Sequence, residues 1–107
     1  MDINSAVSRV KGITEQQIHD LPRYRDSDAF SDDERLVLDL AVGMTRTPAD
    51  VPEETIAALR QRMTEPQIVE IVSAVAWENY RSRWNIALGM PAAGFSEGAY
   101  CAVPERP

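Results

Sequence analysis

Cysteine and histidine are each present only once in this 107-residue chain, as Cys101 and His19. One thiol cannot close an internal disulfide or run two-cysteine redox chemistry, and its isolation fits a reducing compartment. One imidazole among scattered carboxylates does not make a metal site, because ligand sets need clustered spacing. No metal is expected. Long apolar runs are missing too, so no segment is suited to span a bilayer. The opening Met1-Asp2-Ile3-Asn4-Ser5 lacks the basic start and apolar stretch of a secretion signal. The chain reads as cytoplasmic, with no membrane role. Basic runs are absent as well. Arg60 with Arg62 and Arg81 with Arg83 are local pairs within a formal charge of -6, a balance that repels phosphate backbones and argues against nucleic acid.

Sustained period-two alternation is the last absence, and it excludes a sheet protein. What remains is helical periodicity in a chain sized for one domain spanning 1-107, with 44% hydrophobic residues to build a modest core. Ile3, Ala6, Val7 and Val10 carry the spacing of a first helix, stopped at Gly12. That pattern is already running at the first residues, with no cap before it. Three stretches then have the form of capping boxes: Thr14 to Gln17, Ser31 to Glu34 and Thr64 to Gln67.

The first box opens a short helix ended by Pro22, and residues 22-30 read as a polar surface connection. The second opens a helix with Leu36, Val37, Leu38, Leu40, Ala41, Val42 and Met44, expected to be buried on most sides. Pro52 suits the first turn of a fourth helix carrying Ile56, Ala57, Leu59 and Met63. The third box opens a long helix to Leu88 with Gly89 as its stop, roughly 36 Å at 1.5 Å per residue. The fold class is all-α, a small helical bundle of about five helices. A partial duplication supports it: Ile13-Thr14-Glu15-Gln16-Gln17-Ile18-His19-Asp20-Leu21 lines up with Met63-Thr64-Glu65-Pro66-Gln67-Ile68-Val69-Glu70-Ile71, each copy following a helix and beginning another, as in a duplicated helix-turn-helix unit.

Several stretches together carry a family resemblance. Phe30-Ser31-Asp32-Asp33-Glu34-Arg35, Met44-Thr45-Arg46-Thr47-Pro48, Ala76-Trp77-Glu78-Asn79-Tyr80-Arg81, Asn85-Ile86-Ala87-Leu88-Gly89 and Gly94-Phe95-Ser96-Glu97-Gly98 resemble the C-terminal part of carboxymuconolactone decarboxylase proteins. That superfamily includes the alkyl hydroperoxidase D-like proteins, and the resemblance implies their helical fold, packed into trimers or hexamers. Its redox members carry Cys-x-x-Cys-x-x-x-His at a helix start, where the helix N-terminus stabilises a thiolate and the His relays protons. Met1-Asp2-Ile3-Asn4-Ser5-Ala6 is similar to the residues that follow the second cysteine in such proteins. On that alignment the chain begins one residue after the cysteine, and Asn4 occupies the place of the His. Either the chain is truncated or it is a member without the redox pair. An amide exchanges no protons near neutral pH, so Asn4 could orient a ligand but not act as a base.

The resemblance implies thiol-dependent peroxide chemistry or a cofactor-free decarboxylation of a lactone acid. Neither branch calls for a bound cofactor. The first is closed to these residues alone, and the second would need a base and an anion clamp, for which Arg81 is the only partial candidate. No catalytic residue is assigned. Asp32, Asp33 and Glu34, like Glu53 and Glu54, are explained by the helix starts they occupy. Cys101 reads as an ordinary free thiol and His19 as a surface or capping residue.

Trp77, Tyr80, Arg81, Trp84 and Leu88 recur at three- and four-residue intervals and share one helix face. Aromatics around an arginine can line a pocket for a small carboxylate, so Asn4, Trp77, Tyr80, Arg81 and Trp84 are the candidate binding residues. The plainer alternative is a core or subunit interface, with Arg81 paired to Glu78 or Asp39. Apolar surface on the first and last long helices points to a homo-oligomer. An enzyme by descent and a non-catalytic assembly or small-molecule-binding domain both remain open.

Overall fold

The computed structural model describes residues 12-90, which are helical with no strand. Four α-helices follow in order: α1 (Glu15–Asp20), α2 (Asp32–Thr45), α3 (Glu53–Arg62) and α4 (Glu65–Ala87), with a 3-10 helix (Leu21–Asp26) after α1. The helix expected over Ile3 to Lys11 lies outside the described residues. Among those residues, no helix is long and apolar enough to cross a membrane. The described residues fall into two compact units, 12-30 and Ser31–Met90.

All three capping boxes form. Thr14 accepts from the Gln17 amide at 3.0 Å while Gln17 Oε1 accepts from the Thr14 amide at 3.1 Å. Ser31 and Glu34 exchange the same pair of bonds at 3.1 and 3.0 Å, as do Thr64 and Gln67 at 3.3 and 3.0 Å. Each box satisfies helix-start amides that have no partner inside the helix. The aligned Ile18 and Ile68 are both buried just behind their boxes, so the two copies start alike; they part at Leu21, where a 3-10 segment begins, whereas α4 runs on through Ile71.

Residues 22-30 correct the sequence expectation of a surface connection. Pro22 has no N–H to continue α1, yet it is tolerated in the first turn of a new helix, and the chain tightens into the 3-10 segment there. A kink at Arg23 (φ -122°, ψ 34°) turns Tyr24 inward. Tyr24, Ser27 and Phe30 are buried. The buried Ser27 donates to Asp20 Oδ2 at 2.8 Å and accepts from the Ala29 amide at 3.0 Å. Gln17 donates across the turn to the Ala29 carbonyl at 3.0 Å. A polar run therefore closes on itself through its own side chains, which hydropathy does not reveal.

In the second unit α2, α3 and α4 pack around Leu40, Leu59 and Ile68, with Leu36, Val37, Met44, Val51, Ile56, Met63, Ile71 and Val72 against them. Only Leu40 and Gly43 of α2 are fully buried and Val42 is 38% exposed, so α2 is not buried on most sides as its composition suggests. One stripe is buried because two neighbouring helices cover only part of its circumference. Gly43 lets the following loop close in: a Cβ there would stand 2.6 Å from the Asp50 carbonyl oxygen, and the Asp50 amide donates to the Gly43 carbonyl at 2.9 Å. Pro52 takes the cap position before α3, one residue ahead of the first turn expected for it. Asp33 and Arg62 pair between the start of α2 and the end of α3, and Arg60 binds Glu65 at 2.9 Å across the α3–α4 turn. Gly89, at φ +63°, takes the left-handed conformation that ends α4 cheaply only at glycine.

Candidate functional site

Helix α4 is apolar on two opposite sides. Ile68, Ile71 and Val72 face the core with α2 and α3. Trp77 lies nine residues after Ile68, two and a half turns at ~3.6 residues per turn, so it emerges on the far side. There Trp77, Tyr80 and Trp84 stand 59%, 57% and 54% exposed, continued by exposed Leu88 and Met90. The three rings form a run of two stacks. Trp77 and Tyr80 have centroids 5.5 Å apart with planes 8° from parallel, and Tyr80 and Trp84 are 6.1 Å apart at 24°. Stacking fixes the rings in a row along the helix and gives them a common, rigid outer surface.

Arg81, the charged member of the stripe, donates from Nη1 to Glu78 Oε1 at 2.9 Å. Glu78 is one of the two acids, with Asp39, expected from the sequence as its partner. On the flank toward α2, Arg83 donates to the Thr45 carbonyl at 3.3 Å and to Thr47 Oγ1 at 3.2 Å. It thereby covers a carbonyl at the C-terminal end of α2, where a cation is favourable, and ties the C-terminal part of α4 to the loop after that helix. Nearer the start of α4, Arg62, Met63, Gln67, Glu70 and Ile71 line a shallow groove open to solvent.

Among the predicted site residues, Trp77, Tyr80, Arg81 and Trp84 come together on α4, whereas Asn4 lies outside the described residues, as does Cys101. His19 is exposed on α1, with Nδ1 3.9 Å from Asp20. Asp20 itself accepts from two neighbouring side chains. Hydrogen bonds from Gln16 at 2.8 Å and from Ser27, with Arg23 nearby, hold its carboxyl below the usual value. Among the described residues, no group of three or more His, Cys, Asp or Glu could hold a metal ion. The groove beside Glu70 carries no motif. Only the juxtaposition of the α3 end with the second turn of α4 creates it.

The chain is similar to two curated proteins. It is 32% identical over 94 residues to the uncharacterised protein YdfG of Bacillus subtilis, an overlap of 87% of this chain and 64% of that protein. It is 30% identical over 83 residues to the uncharacterised protein YnjA of Escherichia coli, covering 78% of this chain and 43% of that protein. The chain thus spans less than two-thirds of the length of either relative. No family model and no solved structure matches it.

Proposed function

We propose that this chain is a carboxymuconolactone decarboxylase-like, alkyl hydroperoxidase D-like domain whose present residues serve assembly rather than thiol chemistry, with the outer face of α4 as the contact surface. The observation that carries the reading is the exposed row of Trp77, Tyr80 and Trp84 opposite the core face of the same helix. Half-exposing three large aromatics leaves ~350 Å² of ring surface in water if each offers ~200 Å² in all. A patch of that size is ordinary as the largest on a monomer, where it often marks a contact site. The rings stand side by side along a helix, so they present a surface rather than enclose a small molecule.

The pocket alternative is less well supported. Arg81 already holds Glu78 on a partly exposed helix face, where water competes for any further carboxylate. The peroxidase branch requires two thiols, and the 107 residues contain one. A turnover assay with organic peroxide and a dithiol reductant tests the chemical half of this reading. Consumption above the protein-free background would overturn it. The assembly half is tested by solution mass, with wild type expected to exceed the mass of one chain.

A further inference from the structure

We propose that the row of Trp77, Tyr80 and Trp84 is a one-electron relay: oxidation of either indole by a radical oxidant passes to Tyr80 and comes to rest there as a phenoxyl radical. The inference stands apart from the assembly reading, because every transfer runs along one helix. Three observations carry it. The first is composition. The chain has two tryptophans, and both stack on the same tyrosine. Whichever indole is oxidised, Tyr80 is its neighbour. The second is distance. Trp77 and Trp84 are seven residues apart, ~10 Å along the axis at ~1.5 Å per residue, which is too far for their rings to meet. Tyr80 closes both gaps, with centroids 5.5 and 6.1 Å from those of the indoles, the separation of rings in contact. Electron transfer weakens steeply with the gap between rings, so contact favours both steps.

The third observation is access. All three rings are more than half exposed, so a radical in solution reaches the indoles and each released proton passes to water. The steps balance. The oxidant takes one electron from Trp77 or Trp84 and is itself reduced, and the indole N–H proton leaves to water, giving a neutral indolyl radical. Tyr80 then gives that radical an electron and loses its phenolic proton to water, while the indole nitrogen takes a proton back. At neutral pH the phenoxyl radical is the weaker oxidant of the two, so the transfer runs in this direction. A small hydrogen-atom donor in solution returns the phenoxyl to phenol and is oxidised in its place. The co-substrates are thus a radical oxidant on one side and a reductant of the ascorbate kind on the other. Neither a thiol nor a bound group takes part.

Pulse radiolysis of the full chain in azide solution tests the relay, since the azide radical takes one electron from tryptophan in preference to tyrosine at neutral pH. In wild type the visible absorption of the indolyl radical is expected to decay as the phenoxyl band grows, with one shared first-order rate constant that dilution leaves unchanged. Tyr80→Phe keeps an aromatic ring in the row but has no O–H to oxidise. It is expected to lose the coupled phenoxyl growth and to hold the indolyl radical several-fold longer, with unchanged far-ultraviolet circular dichroism. Trp77→Phe and Trp84→Phe, made singly, are each expected to keep the transfer, because the remaining indole still stacks on Tyr80. Ascorbate is expected to shorten the phenoxyl lifetime. Phenoxyl growth in Tyr80→Phe equal to wild type would assign the radical to Tyr24 or Tyr100 and overturn the inference. A rate that rises with protein concentration, an indolyl radical that never passes to tyrosine, or a phenoxyl indifferent to ascorbate would overturn it as well.

Discussion

Trp77 lies nearly flat against Tyr80, one helical turn away on the side of α4 turned from Ile68. A stack of this kind contributes ~0.5–1.5 kcal/mol beyond simple burial, but its outer surface remains in water. Trp77→Ala should therefore affect folding and association unequally. The midpoint of urea unfolding at low protein concentration is expected to fall by ~1 kcal/mol or less in stability, while association weakens by considerably more. Comparing unfolding midpoints at two protein concentrations measures the split.

Leu59 and Leu40 carry the opposite expectation. Both side chains are fully enclosed, Leu59 at 0% exposure, where α2, α3 and α4 meet. Leu59→Ala is expected to cost ~2–5 kcal/mol, the lost transfer energy plus the cavity left behind. Small domains hold only ~5–15 kcal/mol in total, so thermal unfolding followed by circular dichroism should show a large drop in midpoint or outright loss of helix.

Gly43→Ala tests the close approach of the loop after α2. The added methyl would meet the Asp50 carbonyl oxygen at 2.6 Å, and the atom it meets is backbone, which yields less readily than a flexible side chain. A cost of ~1–3 kcal/mol is expected despite the better helix propensity of alanine. A thermal midpoint at or above that of wild type would contradict this packing.

Asp20 sets a pH expectation. Hydrogen bonds from Gln16 and Ser27 lower its carboxyl below its reference value of 3.8. A depressed carboxylate contributes stability that is complete above the unfolded-state value and is lost as pH falls through the lower folded value. Asp20→Asn is therefore expected to flatten the acid side of the stability curve below about pH 4, and Ser27→Ala to move the Asp20 titration upward. Carboxyl chemical shifts followed by NMR across acid pH report both.

Much of this structure was legible in the residue pattern because helix starts are local chemistry. Thr14, Ser31 and Thr64, each followed three residues later by Gln or Glu, mark the observed starts of α1, α2 and α4, and Gly89 marks the end of α4. The turn at Leu21–Asp26 was hidden because Pro22 reads equally as a stop and as the first turn of a new helix. Spacing also brought Trp77, Tyr80, Arg81 and Trp84 onto one face. Period alone does not say which of two apolar faces of α4 lies inward, since that depends on where α2 and α3 run. For the same reason the groove at Arg62, Met63 and Glu70 left no trace in either segment read singly.

Light scattering behind a sizing column, run on wild type and on the Trp77→Ala, Trp84→Ala variant at micromolar concentration, bears most directly on the use of α4. Wild type is expected to elute above the 11.9 kDa of one chain, and the variant to fall toward that mass while keeping its helical signal. A wild type of single-chain mass, or a variant as large as wild type, would contradict the account.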